Sequence, residues 1–429
     1  MNRMHANAYH WVLGWLLALL CLGPMPAAAE AVVAGVTGTT FNLTARDGYI
    51  TTGDFDSIYT WGYALDAGPM QYPGPTLIVD QGQAVTVNLS NGLEVPVSIV
   101  FPGQGAVGAV AVSGPTAEGQ MTLEAGPGGT VSYTFTADRP GTYMYHSGTR
   151  PDLQVEMGLA GALIVRPAGF NQASNRTAYG HPGSAYVHEY LFLLTEMDPE
   201  IHALVAAGHL NLVDTTTSRE VLWFINGRNA PDTFSAAGAP WLPHQPYNAS
   251  PRTRPGETVL MRVIGGGRQL HPLHTHGNNL VQIARDGRLL QSAPGMGPDL
   301  GISDFTLKTV PGETYDALWE WTGAGLGWDI YGHAETDPME PNEYAADHGK
   351  PFPVILPELQ DLTFGGWYSG SPFLGVFGSL PPGEGGLNLN GGLFFMFHSH
   401  TEIELTNNDI FPGGMMTMMI IEPPGTPIP

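Results

Sequence analysis

Two stretches of the chain repeat one another without a gap: GQAVTVNLSNGLEVPVSIVFPG at 82–103 and GETVLMRVIGGGRQLHPLHTHG at 256–277. In both, apolar residues take alternate positions after a glycine turn, which is the pattern of a half-buried β-strand. A second repeat matches YMYHS at 143–147 with FMFHS at 395–399, and each copy leads into a later apolar stretch. The two repeats together predict two β-sandwich domains.

The composition agrees with a β architecture. Of 429 residues, 57 are glycine and 37 are proline, and only 13% are charged, which favours turn-rich sheets over long charged helices. The length fits two or three domains. In the connection between the two repeats, residues 189–196 have the composition of a strand and residues 199–209 that of a short helix. The predicted boundaries are a first domain at 31–168, a partly ordered linker at 169–214, and a second domain at 215–425 with a long insertion at about 334–390.

The net charge limits the classes of partner. The chain carries a formal charge of −23 and has only two lysines, Lys308 and Lys350. Nucleic acids and anionic membrane surfaces both require a basic surface on the protein that binds them. Neither is therefore expected as a partner. A small-molecule or metal-ion substrate is compatible with the charge, which does not itself identify the partner.

The N-terminus has the layout of a secretory signal peptide. Arg3 precedes an apolar run at 11–23, Pro24 ends the run, and small residues follow at 27–29. We expect a signal peptide at 1–29, cleavage near Ala29, and a periplasmic or secreted protein. An uncleaved anchor is the alternative, and no later segment is apolar for long enough to span a membrane.

The chain has one cysteine, Cys21, and it lies inside this predicted signal peptide. The mature chain is therefore expected to have no disulfide and no thiolate ligand for a metal. Its stability must come from its hydrophobic cores.

Five of the fifteen histidines form three short clusters, the second and third of which are His-x-His pairs. Residues two apart on a strand share one face, so each pair presents two imidazoles together. Neutral imidazole suits copper, zinc, iron and nickel, and the pattern predicts a metal site, with satisfied core histidines as the alternative. The candidate ligands are His146, His274, His276, His398 and His400.

These clusters resemble the copper motifs of the multicopper oxidase family. HPLHTHG at 271–277 is that family's third motif, complete as it stands. Segments 143–162 and 397–400 resemble its second and fourth motifs, and PGPTL at 73–77 resembles the usual lead-in to the first. The resemblance implies an all-β chain of two cupredoxin-like Greek-key β-sandwich domains, an oxidoreductase class of function, and copper as cofactor, with zinc as the other metal considered.

The departures from the family pattern concern its type 1, or blue, copper. Ser399 stands where the family has the cysteine that binds this copper, and Glu404 stands where it has a later histidine. His271 is the one type 1 ligand that remains. Since a serine hydroxyl does not replace a thiolate as a soft ligand, we expect no blue copper centre.

The family's trinuclear copper cluster uses eight histidines, of which five have matches here. By resemblance, His276 and His398 share one type 3 position, and His146 and His400 share the other. His274 alone remains of the type 2 position. The three lost histidines are represented by Val100, Pro102 and Gly148.

Several weaker candidates stand beside the five histidines. His333 ends a strand-like segment, and Glu404 follows the last histidine pair with Glu402 and Asp409. A methionine cluster at 415–419 suits either copper(I) binding or core packing. The further candidate ligands are His271, His333 and Glu404.

Three functions fit these observations. The first is an oxidoreductase of the multicopper oxidase class with a reduced, histidine-only copper site, for which four-electron reduction of oxygen to water is not expected. The second is a non-catalytic periplasmic copper-binding or copper-handling protein, and the third is a structural protein on a degenerate oxidase scaffold. Because two-domain members of the family build their cluster between subunits, the resemblance also predicts a homo-oligomer, a trimer.

Overall fold

The computed structural model describes residues 32–322 and 393–422, with short pieces at 328–329, 336, 338, 350–351 and 427–428. The predicted signal peptide at 1–29, His333 and nearly all of the predicted insertion at 334–390 lie outside the described residues. Within the part that is described, no helix has the length and apolar character needed to cross a bilayer.

Strands dominate both halves of the chain, as an all-β fold requires. The strands of the first half are β1 (Val36–Thr37), β2 (Thr40–Thr51), β3 (Ser57–Leu65), β4 (Met70–Gln71), β5 (Gly74–Asp80), β6 (Ala84–Asn91), β7 (Gly108–Ser113), β8 (Thr116–Glu118), β9 (Leu123–Ala125), β10 (Thr130–Thr136), β11 (Gly141–His146) and β12 (Ala160–Arg166). Those of the second half are β13 (His188–Met197), β14 (Leu222–Ile225), β15 (Arg252–Thr253), β16 (Val259–Gly265), β17 (His271–Thr275), β18 (Leu280–Arg285), β19 (Arg288–Leu289), β20 (Ile302–Asp304), β21 (Thr306–Thr309), β22 (Thr314–Trp319), β23 (Trp328–Asp329), β24 (Lys350–Pro351), β25 (Leu393–Ser399) and β26 (Met416–Ile421). The helices are α1 (Pro151–Gln154) and α2 (Pro199–Ala206), with 3-10 turns at Pro182–Ser184, Leu210–Leu212, Asp232–Phe234 and Glu402–Leu405.

A first sandwich is built from a four-stranded sheet, in the order β1-β5-β12-β11, and a six-stranded sheet, in the order β4-β3-β2-β6-β10-β7. One core fills the space between them, because alternate residues of each strand face inward. Val87 on β6, Tyr133 on β10 and Leu163 on β12 are all fully buried in this core.

A second sandwich follows the same plan. Its seven-stranded sheet runs β14-β13-β16-β22-β18-β19 with β20 on β18, and its five-stranded sheet runs β15-β26-β25-β17-β21. Phe192 on β13, Val263 on β16 and Phe397 on β25 are fully buried in the core between them. The segment expected to be a strand at 189–196 is β13, and the one expected to be a short helix contains α2.

The sequence repeats correspond to equivalent strands, and the all-β prediction is confirmed. The alternating stretch at 82–103 forms β6, and its repeat forms β16. The second repeat forms β11 and β25, and each of these pairs antiparallel with the apolar strand that follows it, β12 or β26.

The two sandwiches pack through the outer faces of the four-stranded and seven-stranded sheets. Met144 and Ile164 of the first sandwich contact a buried apolar cluster that includes Leu191, Leu193 and Ile264 of the second. A contact of this kind, apolar and fully buried, holds the two sheets in a fixed relation.

A buried ion network crosses the same interface. The Arg262 guanidinium donates from Nε to Glu189 at 2.5 Å and from Nη1 to Asp316 at 3.2 Å, and Arg166 also pairs with Glu189. Although burial alone would raise it, these two guanidinium groups lower the pKa of Glu189 to about 2. Loss of Arg262 would leave Asp316 without its guanidinium partner, and an unpaired buried charge is strongly destabilising.

Candidate metal centre

Four of the predicted histidines come together on the five-stranded sheet. In this sheet β17 lies between β21 and β25, and His274 on β17 is directly opposite His398 on β25. His276 follows the end of β17, and His400 follows the end of β25. The alternation of the two strands therefore brings both His-x-His pairs to one place.

The ring nitrogens of this cluster are close enough to bind one metal ion. The candidate ligand atoms of His274, His276 and His398 lie within 4.8 Å of one another. The closest pair is Nε2 of His276 and Nε2 of His398, at 3.2 Å. The His400 ring lies edge-on to His274, with the two centroids 4.7 Å apart.

Hydrogen bonds orient two of these rings. His398 donates from Nδ1 to the carbonyl oxygen of Ser399 at 2.6 Å, so its Nε2 carries the lone pair, which faces Nε2 of His276. Nδ1 of His274 is hydrogen-bonded to the Thr306 hydroxyl at 2.8 Å, and the Phe305 ring packs edge-on against the same imidazole. Both Nε2 atoms are thereby left for the centre of the cluster, as in metal sites where an outer partner fixes the ligand ring.

The environment keeps these imidazoles neutral. Burial, together with the neighbouring His276 and His400, lowers the pKa of His274 to about 4. Burial is also the main reason that the pKa of His398 falls to about 4, and the adjacent histidines add to it. Because only a neutral imidazole can bind a metal, His274 and His398 are in their binding form at neutral pH.

His146 lies apart from this cluster, on the first sandwich. Among the described residues, the group of close ligand atoms contains His274, His276 and His398 but not His146. His146 donates from Nδ1 to the Ser147 carbonyl at 2.9 Å, and burial lowers its pKa. It lines a cleft of about 420 Å³ between the two sandwiches, together with Glu196 and Arg268.

Two of the positions where the family has histidines are enclosed by neighbouring residues. Val100 forms a backbone bridge with His146, so it lies beside the remaining ligand candidate. A Cβ atom added at Gly148 would meet Cγ1 of Val100 at 2.7 Å and Cβ of Met121 at 3.3 Å. A histidine could not enter at 148 without displacing these neighbours.

His271, which the resemblance matches to a type 1 copper ligand, lies in an ion triad. His271 is completely buried, and its ring bonds Glu404 through Nδ1 at 2.9 Å and Glu196 through Nε2 at 2.8 Å. Burial opposes a charge on this ring, but the two carboxylates outweigh it and raise the pKa of His271 to about 9. Both ring nitrogens are engaged, so neither offers a lone pair to a metal in this arrangement. We refer to Glu196, His271 and Glu404 as the buried triad.

Three residues of these sites were not singled out from the sequence. Glu196 is a buried acid in strand β13, and a buried glutamate almost always has a partner, which is a usable signal. Thr306 and Trp223 carry no such signal. Trp223 packs edge-on against His271, with the ring centroids 6.2 Å apart.

Comparison with known proteins agrees with the fold and the histidine motifs. A sequence model of the multicopper oxidase family matches residues 69–169. A multicopper oxidase of Talaromyces pinophilus is 34% identical over 154 residues, which is 35% of this chain and 22% of that protein. An iron transport multicopper oxidase of Gibberella zeae is 38% identical over 104 residues, 24% of this chain and 16% of that protein. The matched segments thus span less than a quarter of these relatives.

Solved structures match over most of the chain. The blue copper oxidase from Nitrosomonas europaea superposes with a TM-score of 0.54 at 21% identity, covering 89% of this chain and 85% of that one. The multicopper oxidase mgLAC superposes with a TM-score of 0.55 at 18% identity, covering 91% and 87%. These likenesses establish a shared cupredoxin fold.

The family match, the complete motif at 271–277 and the two sandwiches point to the same family. Residues 69–169 match the multicopper oxidase family, and the two sandwiches share the fold of its members. That family implies copper as the cofactor.

Proposed function

We propose that the chain is an exported oxidoreductase with a histidine-only copper site and no blue copper centre. The observation that carries this proposal is the convergence of His274, His276 and His398, with ligand atoms within 4.8 Å of one another. Two nitrogens bound to one metal at about 2.0 Å in a tetrahedral arrangement lie about 3.3 Å apart. The separation of 3.2 Å between His276 and His398 fits that value.

The residues around the site define what the chain itself contributes. Copper bound there would supply one-electron redox chemistry. Thr306 and the Ser399 carbonyl hold the His274 and His398 rings in place, so the site needs little rearrangement on binding. Phe305 shields His274 on one side, while His400 is exposed to solvent and leaves a route for a small donor or a metal ion.

The buried triad supports the absence of a blue copper centre. Position 399 is a serine, and its hydroxyl accepts a hydrogen bond from the Thr401 amide at 3.2 Å. With His271 held by two carboxylates, no thiolate and no free imidazole remains at this position to relay electrons. The proposed chemistry is therefore oxidation of a small molecule or a metal ion at a copper site with fewer histidine ligands than the family's cluster. It does not include the family's four-electron reduction of oxygen.

The second candidate function is a non-catalytic copper-binding or copper-handling protein in the same compartment. The buried triad favours it, because a protein that only holds copper needs no electron relay. Turnover of a phenol, a metal ion or a nitrogen oxide by the copper-loaded protein separates the two candidates. Zinc is the other metal that the same four imidazoles could bind.

Metal analysis of the mature protein tests the proposal. After copper loading and removal of free ions, we expect stoichiometric copper and an optical spectrum without the intense band of a copper–thiolate bond. An intense blue band would contradict the absence of a type 1 centre. A copper content near zero would contradict the metal site and favour a structural role. Mass spectrometry of the exported protein, with an N-terminus beginning near Ala29, tests export.

The oligomeric state is a further prediction. We expect a homo-oligomer, a trimer. Phe305 is more than half exposed and packs against His274, which supports an interface near the histidine cluster. Light scattering should give three times the mass of one chain. A monomer would contradict this prediction.

A further inference from the structure

A second surface of the chain carries three large apolar side chains that are mostly exposed to solvent. Phe55, in the turn between β2 and β3, is 90% exposed, and Ile410 and Phe411 are 70% and 68% exposed. The latter two lie in the loop between the 3-10 turn Glu402–Leu405 and β26. We refer to Phe55, Ile410 and Phe411 as the apolar tip.

The backbone under the apolar tip is strained. Phe55 has a φ of 67°, and Asn408 and Asp409 have φ of 49° and 63°. Asparagine and aspartate tolerate this left-handed region, but a phenylalanine there is a genuine outlier. An asparagine or glycine at 55 would relieve the strain and remove the exposed ring, so folding alone does not explain a phenylalanine.

Hydrogen bonds join the two loops into one rigid surface. Asn408 donates from Nδ2 to Asp54 at 2.8 Å, which links the two turns directly. The neighbouring Asn407 is buried, where it donates to the Ala230 carbonyl at 2.9 Å and accepts from the Gly414 amide at 2.8 Å. The apolar residues are therefore displayed on a fixed scaffold, as in a preorganised interface.

Acidic side chains surround the apolar tip. Asp54, Asp56, Glu200 and Asp409 are all exposed. The nearby cation is Arg219, and it is paired with Asp409 at 2.7 Å. An apolar centre with a negatively charged rim is the layout of a protein–protein interface, whose rim steers a partner of opposite charge.

We propose that the apolar tip and its acidic rim form the docking site for a small soluble protein with a basic face around an apolar centre. A second copy docked through the same surface does not match, because its acidic rim would face this acidic rim and the two would repel. An anionic membrane is disfavoured on the same ground. The proposal does not depend on the copper site.

Binding of a basic c-type cytochrome to the full mature protein tests this inference, with the same cytochrome after lysine acetylation as the charge control. Biolayer interferometry at low salt should detect binding of the basic form only. Phe55→Asn and Ile410→Ser should each weaken binding about tenfold, as expected for residues at the centre of an interface. Phe55→Asn should also keep or raise the melting temperature, because asparagine suits a positive φ.

Val112→Thr is the matched control, since Val112 is 58% exposed on β7, at the other edge of the same sheet. It should leave the affinity unchanged. Absence of binding, equal binding of the acetylated cytochrome, or equal loss with Val112→Thr would overturn the proposal. Self-association that disappears in Phe55→Asn would also overturn it, by assigning the surface to a second copy.

Discussion

Replacing both His274 and His398 by alanine is expected to abolish copper loading of the mature protein. These two imidazoles face each other across the pairing of β17 and β25, and each has a hydrogen bond that fixes its ring. Their removal leaves His276 and His400, which are too few imidazoles for a stable site. Copper per chain, measured by mass spectrometry of the loaded protein, should fall from stoichiometric to the background of the buffer.

The control for this experiment is His209→Ala, since His209 is exposed and lies outside the cluster. It should retain full loading. The double variant should keep its far-ultraviolet circular dichroism, because His274 is only partly buried and the core of the second sandwich is formed by other residues. Stoichiometric copper in a folded double variant would show that the metal binds elsewhere.

The fold is predictable from the sequence because its signal is local and repeated. Alternation with a period of two determines which residues of β6 and β16 face inward, and the repeat makes β11 and β25 equivalent strands of the two halves. The same period brings His274 and His276 to one face of their strand. That prediction needs no knowledge of which strands are neighbours.

The surroundings of the histidines could not be predicted in the same way. Thr306 orients His274 only because β21 pairs with β17. The order of strands in a sheet cannot be predicted from the residue pattern of any single strand. The partners of His271 lie 75 and 133 residues away, and they meet only in the folded sheet pair. The strain at Phe55 was equally hidden, since nothing in its local sequence requires a positive φ.

The buried triad should make the stability of the metal-free protein depend on pH in the alkaline range. The pKa of His271 is about 9 in the folded state, against about 6.5 in an unfolded chain. A raised pKa gives stability that is fully present below about pH 6.5 and is lost as the pH rises through about 9. The difference corresponds to about 3 kcal/mol of unfolding free energy.

Urea unfolding of the metal-free protein at pH 6, 8 and 10 measures this loss. Because other groups can also titrate in the alkaline range, the decisive quantity is the difference in slope between the wild type and His271→Gln. The variant should be less stable at pH 6, where it leaves two buried carboxylates without their cation, and it should lack most of the alkaline decline.

Glu404→Gln provides a second variant of nearly the same size, in case His271→Gln does not fold. It removes one of the two carboxylates that raise the pKa of His271, so the alkaline decline should be smaller and should end at a lower pH. His209→Ala should follow the wild-type curve. Parallel curves for the wild type and both triad variants would contradict this prediction, because they would mean that the His271 ring is neutral between its two glutamates.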